Sequence, residues 1–133
     1  MIISNTNNIL IYIIIVLSSF IYEKYKVKCN NETYITILIS LLHHSFSMYI
    51  YFCTILFPYY KFNTIIITLT IVGWLFNKRC ILNKYYNKLC SIKDETKFHD
   101  LVHLLNSYAN IKNIHYYILG TIILLNLYLI LKK

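Results

Sequence analysis

Four stretches of apolar residues divide the chain, and shorter polar segments separate them. They cover about residues 9–22, 34–57, 62–76 and 114–131. Within each stretch the apolar residues are nearly continuous, which is typical of a helix whose solvent is lipid. A chain of 133 residues has room for one domain. The pattern therefore predicts an all-α fold, an integral membrane four-helix bundle in a single membrane domain over residues 1–133.

The first stretch is the shortest of the four. Its fourteen residues form a helix of about 21 Å, against a hydrocarbon core of about 30 Å. A cleaved signal peptide is the alternative, but residues 1–8 contain no Lys or Arg for its basic segment.

Pro58 ends the second stretch, and three residues separate it from the third. So short a connection predicts an antiparallel helix hairpin.

Residues 77–113 form the polar part of the protein. The sequence Ser91-Ile-Lys-Asp94 resembles a capping box. Behind it, apolar residues recur on one helical face, which predicts an amphipathic helix over about residues 92–108, on the membrane surface or docked on the bundle. A further short amphipathic turn is predicted over residues 81–89. The apolar face of the longer helix comprises Phe98, Leu101, Val102, Leu105 and Tyr108.

Composition supports the membrane prediction and also bears on the origin of the gene. Hydrophobic residues make up 58% of the chain and charged residues 14%, about half the charged fraction that is usual in soluble domains. Ile, Asn, Lys and Tyr supply 64 of the 133 residues, whereas Ala, Arg and Pro occur once each. The first four have AT-rich codons, so the bias indicates an AT-rich genome. Much of the Ile, Tyr and Asn content therefore carries no functional information.

The net charge of +8 comes from residues that flank the apolar stretches. This placement favours the lipid bilayer and its anionic headgroups as partners and disfavours nucleic acid. With both termini outside, the cytoplasmic loops contain ten Lys and Arg residues and the other side contains three. The distribution predicts that both termini are non-cytoplasmic. The glycosylation sequon Asn31-Glu32-Thr33 then lies in the cytoplasm, and its modification would reverse this topology.

His43 and His44 lie near the middle of the second apolar stretch. Polar groups at that depth usually face the bundle or a water-filled path. The pair is either a proton relay, ligand contact or metal site, or a pair of neutral imidazoles that hydrogen-bond a neighbouring helix. A bis-histidine haem is disfavoured, because His115 lies at the membrane interface.

His99 and His103 resemble the H-E-x-x-H zinc motif, with Asp100 in place of glutamate. The shorter carboxylate and the lack of an evident third ligand disfavour a metalloprotease. A solvated helix face explains the two histidines better. We therefore predict no cofactor and no metal, and these two histidines are the remaining candidates.

The four cysteines are distributed between one apolar stretch and the loops. Cys53 lies in the second stretch, whereas Cys29, Cys80 and Cys90 fall in loops assigned to the cytoplasm. A reducing compartment argues against disulfides. Cys29 and Cys80 lie just beyond predicted helix ends and beside lysines, which makes them candidate acylation sites.

The segment around Trp74 is the most distinctive in the chain. Trp74 suits the membrane interface, Asn77 can cap helix carbonyls, and Lys78 and Arg79 can anchor the helix end. Together with His43, His44 and Pro58, the pattern Trp74…Asn77…Cys80-Ile-Leu-Asn83 resembles small multi-span membrane proteins of giant (nucleocytoplasmic large) DNA viruses. The resemblance covers about residues 42–83, and Asn83 stands where threonine is common. It implies no catalytic residues.

Three function classes follow from these observations. The leading expectation is a non-enzymatic viral or virion membrane component, with itself or other membrane proteins as partners. The second is a small channel or proton-conducting protein that uses His43 and His44. The third is a membrane-embedded enzyme or a metal or redox protein.

Overall fold

A computed structural model describes residues 5–77, 80–93, 101–109 and 114–132. Within these ranges the chain is helical and contains no strand, which confirms the predicted all-α class. The helices are α1 (Asn5–Lys26), α2 (Tyr34–Leu56), α3 (Tyr60–Asn77), α4 (Ile81–Leu89), α5 (Leu101–Ala109) and α6 (Ile114–Leu131).

Local sequence signals set both ends of α2. At its start, the Thr36 backbone N–H donates to the Thr33 hydroxyl at 3.3 Å, and the Thr33 N–H donates to the Thr36 hydroxyl at 2.9 Å. This reciprocal capping satisfies two backbone donors that a helix terminus leaves without partners. At the other end, Phe57 is extended with φ −129° because the residue before Pro58 is sterically kept out of the helical region. The second predicted stretch, residues 34–57, is confirmed as a helix over Tyr34–Leu56.

The long helices pack antiparallel to their neighbours, α1 against α2 and α3 against α6. At one end, the Asn8 amide donates to the Leu56 carbonyl at 2.9 Å, and the Thr54 hydroxyl bonds Asn126 at 3.0 Å. The start of α1, the α2–α3 turn and the last turns of α6 therefore share this end, which we call the hairpin end. The α1–α2 loop and α4 lie at the opposite end, which we call the clasp end.

Three helices, α1, α2 and α6, are long and apolar enough to cross a membrane. Their outer faces expose apolar side chains such as Leu10, Ile55 and Leu124. α3 meets the same condition only together with α4, and the two are bent by 57°. The membrane character is thus supported by three helices, and the fourth span over residues 62–76 remains a prediction.

Two predicted boundaries differ from the structure. α1 continues to Lys26, four residues beyond the predicted end, and so brings Glu23 into the helix. Residues 92 and 93 are not helical, and Ser91 has a φ of 53° in the turn that follows α4, so Ser91 does not begin a helix. Of the predicted 92–108 helix, residues 94–100 lie outside the described ranges and α5 is present. Val102 of α5 packs into the core, which favours the docked arrangement.

Candidate functional site

Buried polar side chains recur along the whole length of α2, beside the buried apolar residues Met48, Ile50, Cys53 and Leu56. Successive residues of a helix are rotated by about 100°, so positions three, four or seven apart share a face. Seven polar or amphipathic side chains follow this spacing, and all of them are buried. This polar stripe comprises Thr36, Ser40, His43, His44, Ser47, Tyr51 and Thr54.

His44 lies in the middle of the polar stripe and bonds to two side chains of α1. Its Nδ1 lies 2.9 Å from the Ser19 hydroxyl oxygen, and its Nε2 lies 3.0 Å from Glu23 Oε2. Ser19 and Glu23 are four residues apart, so both project from one face of α1. Ser19 and His44 are 0% exposed and Glu23 is 1% exposed. We call these three residues the His44 network.

The hydrogen bonds of the His44 network are compatible with more than one arrangement of hydrogens. With one hydrogen on Nε2, the ring donates to the Glu23 carboxylate and accepts the Ser19 hydroxyl hydrogen. A second proton on the ring turns Nδ1 into a donor, and the Ser19 hydroxyl then rotates to accept it. Both arrangements keep two hydrogen bonds to the ring.

The same residue types occur in serine hydrolases, where histidine activates a serine nucleophile. Here the Ser19 hydroxyl is fully buried between α1 and α2. A substrate carbonyl has no approach to it in this conformation. The geometry therefore fits proton binding better than nucleophilic catalysis.

His43 belongs to the polar stripe but not to the His44 network. Its ring is buried and lies edge-on to the His44 ring, with 5.4 Å between centroids. The structure thus brings both predicted histidines into the bundle interior. The hydrogen bonds to Ser19 and Glu23 of α1 are made by His44.

Neutral polar contacts join the other helices to α2. The Tyr49 hydroxyl donates to the Asn63 side chain at 2.9 Å, and the Asn63 amide donates to the Phe57 carbonyl at 2.9 Å. The Tyr12 hydroxyl donates to the Ser45 carbonyl at 2.6 Å. Such interhelical hydrogen bonds hold helices together where apolar burial offers little driving force.

A disulfide between Cys29 and Cys90 joins the α1–α2 loop to the end of α4. Around it, the Asn30 backbone N–H donates to the Cys90 carbonyl, and the Asn30 side chain donates to the Ser91 carbonyl, both at 3.1 Å. The Asn31 side chain donates to the Ser91 hydroxyl at 3.0 Å. We call residues 29–31 and 90–91 the clasp.

The sequence argued against disulfides for these cysteines. The Cys29–Cys90 disulfide shows that this prediction was wrong. That prediction considered the compartment alone, whereas α4 folds back and brings the two Cα atoms within 4.8 Å. Cys29 in a disulfide has no thiol to acylate, so its candidate acylation site is contradicted. Cys80 is a free, half-buried thiol, and burial raises its pKa. Its acylation stays a prediction.

α4 lies over the clasp-end side of the His44 network. Tyr86 of α4 is buried against α2, and burial raises the pKa of its phenol to about 12. The charges of Glu23 and Glu32 are smaller contributions to the same rise in pKa. Tyr86 and Glu23 are each 1% exposed.

The remaining predicted site residues are placed separately from this network. Trp74 is half-buried, with its ring 5.6 Å from that of His115, and the Asn77 amide donates to the Gly73 carbonyl at 3.0 Å. Their role as interface anchors stays a prediction. Lys78, Arg79, His99 and the His103 side chain lie outside the described residues. Among the described residues, no group of three His, Cys, Asp or Glu side chains is placed to hold a metal.

The sequence prediction missed Ser19 and Glu23. Because Glu23 is charged, the first apolar stretch was ended at Tyr22, although the four-residue spacing from Ser19 to Glu23 places both on one helical face. The i, i+4 spacing of polar residues along the second stretch was also a usable signal.

A comparison of the chain with protein-family models, with curated proteins and with solved structures found no match.

Proposed function

We propose that this protein is a multi-pass membrane protein that binds and conducts protons within its helix bundle, with Glu23 and His44 as the proton-binding pair. The observation that carries the proposal is the burial of an ionisable carboxyl and imidazole, hydrogen-bonded at 3.0 Å, between two helices able to cross a membrane. Ionisable groups inside membrane helices usually mark ion pathways or proton relays.

A purely adhesive role explains the pair less well. Removing two ionisable groups from water costs several kcal/mol per ion in real proteins. The Thr54–Asn126 bond in the same bundle joins two helices with neutral groups and avoids that cost. If the contact only held helices together, a neutral pair would do so at lower cost. The use of an ionisable pair therefore supports a role in proton exchange.

The polar stripe supplies further proton donors and acceptors on both sides of His44. Ser40 lies one turn towards the clasp end, and Ser47, Tyr51 and Thr54 continue towards the hairpin end. Water that enters along this buried face would link these hydroxyls to the His44 network. The proposed route runs along α2 and ends beneath α4.

Proton flux into vesicles tests this proposal. The purified chain is reconstituted into liposomes that contain a pH-sensitive dye, and a potassium gradient with valinomycin drives proton entry. We expect flux above that of protein-free vesicles, and we expect Glu23→Gln and His44→Gln to reduce it to that background. His115→Gln is the matched control, since His115 lies beside Trp74 and outside the His44 network. Flux that both network variants retain would overturn the proposal.

A second candidate is a non-enzymatic structural component of a viral or virion membrane. The complete hydrogen bonding of His44 favours it, because the network also fastens α1 to α2. The AT-rich composition and the resemblance over residues 42–83 support a viral source. In this case Glu23→Gln and His44→Gln lower the stability of the protein, and vesicles that contain the wild-type chain show no proton flux. Mass spectrometry of purified virus particles should then detect the chain.

The proposed orientation keeps both termini non-cytoplasmic, because ten of the thirteen Lys and Arg residues then lie in the cytoplasmic loops. The Cys29–Cys90 disulfide points the other way, since disulfides persist mainly in oxidising compartments. Translation into microsomes distinguishes the two. A glycan on Asn31, absent from Asn31→Gln, would reverse the proposed orientation.

A further inference from the structure

α4 exposes a row of apolar side chains beside two lysines. Ile81, Tyr85 and Leu89 recur every fourth residue and are exposed, and Lys84 and Lys88 are exposed along one flank of this row. The opposite face of the helix, with Asn83, Tyr86 and Asn87, is buried. The side of α4 that leaves the bundle is therefore apolar on one flank and cationic on the other.

The position of α4 places this face at the end of the spanning helices. α4 is bent by 57° from α3 and packs on the first turns of α2, near Ile39. A helix that turns away from the preceding helix at the end of the bundle has the geometry to lie along a bilayer boundary. The arrangement of apolar and lysine flanks is that of an interfacial helix, whose apolar side chains enter the acyl region while its lysines extend to the headgroups.

The charge of this surface selects the occupant. α4 contains Lys84 and Lys88 and no acidic residue. At the same end of the bundle, the Glu32 carboxylate is paired with Lys24, and Glu23 is bonded to His44. The described carboxylates near α4 are thus engaged by other side chains. The two lysines are available to an external anion within the headgroup layer.

We propose that α4 is a binding site for anionic glycerophospholipids, in which Ile81, Tyr85 and Leu89 contact the acyl chains and Lys84 and Lys88 contact the headgroup. The clasp fixes the rotation of α4 through Cys90, so the same face is always turned to the lipid. This site is separate from the His44 network, which lies on the buried side of the bundle. A loss of proton flux would leave the lipid site intact, and the reverse also holds.

Site-specific quenching by brominated lipids tests the proposal in the full chain. Trp74 is the single tryptophan, so Trp74→Phe with Tyr85→Trp reports on position 85 alone. The protein is reconstituted into bilayers with brominated phosphatidylcholine or brominated phosphatidylserine as a minor component. We expect both lipids to quench the fluorescence at position 85, and phosphatidylserine to quench it more strongly. Each lysine should raise the local preference for phosphatidylserine by a factor of about five or less. Lys84→Gln with Lys88→Gln should remove the preference, and high salt should weaken it.

The control reporter is Leu124→Trp in the same Trp74→Phe background. Leu124 is 69% exposed on α6, against 57% for Tyr85, and α6 contains no lysine. It should be quenched equally by the two lipids. Equal quenching at position 85, or no quenching there, would overturn the proposal. If the Trp74→Phe variant loses helicity, native mass spectrometry of the wild-type chain replaces the quenching experiment. Equal numbers of bound phosphatidylserine and phosphatidylcholine molecules would then refute the site.

Discussion

Replacing Glu23 and His44 by apolar residues of similar size, singly and together, measures how strongly the two side chains depend on each other. Glu23→Met leaves the His44 Nε2–H buried without its acceptor, and His44→Leu leaves the carboxyl buried without its donor. Each single variant should therefore lose stability. The double variant removes both polar groups, so its loss should be smaller than the sum of the two single losses.

The expected size of this coupling follows from the 3.0 Å bond and its burial. A hydrogen bond to a charged group contributes about 1.5–3 kcal/mol in soluble proteins. Interhelical hydrogen bonds in a membrane protein average about 0.6 kcal/mol and reach about 1.7 kcal/mol. The two ranges meet near 1.5–1.7 kcal/mol, and we expect a coupling of about 1.5 kcal/mol.

Unfolding by sodium dodecyl sulfate in mixed micelles, followed by circular dichroism, supplies the four free energies of unfolding. Glu23→Met combined with Thr54→Val is the control cycle, because Thr54 lies ten residues from His44 on α2, about 15 Å along the helix. That pair should be additive to within about 0.5 kcal/mol. A coupling of the same small size between Glu23 and His44 would refute the assignment of a buried, mutually dependent pair.

Further predictions concern the contacts around this pair. Cys29→Ser with Cys90→Ser should lower the free energy of unfolding by up to about 4 kcal/mol, which is the chain-entropy value for a loop of this length. Cys80→Ser is the control and should have little effect. If the wild-type chain has the same mobility on non-reducing and reducing gels, the disulfide is contradicted. Asn126→Leu should cost only about 0.6 kcal/mol in the same unfolding assay, because it removes one neutral bond to Thr54; a loss as large as that of Glu23→Met would contradict the distinction between the two contacts.

The helices themselves were largely predictable, because continuous apolar runs and Pro58 mark α2 and α6 directly in the sequence. The bundle partner of His44 was not predictable in the same way. A hydropathy pattern treats Glu23 as the end of a span, whereas the helix continues to Lys26 and the Glu23 carboxyl group is hydrogen-bonded to His44 inside the bundle. The clasp was hidden for another reason. Its two halves lie 61 residues apart, and no local pattern indicates that α4 folds back to meet the α1–α2 loop.

The disulfide also imposes an order on how the protein is built. It closes a covalent ring that contains the whole of α2, α3 and α4 and leaves α1, α5 and α6 outside. During synthesis the ring cannot close before Cys90 has left the ribosome, when α2 and α3 have already been made. α6 is made after that point and is held to the ring only by packing and by contacts such as Thr54–Asn126. The ring is therefore one covalently closed unit, whereas α1, α5 and α6 lie outside it, and contacts such as Ser19–His44 and Thr54–Asn126 join α1 and α6 to it.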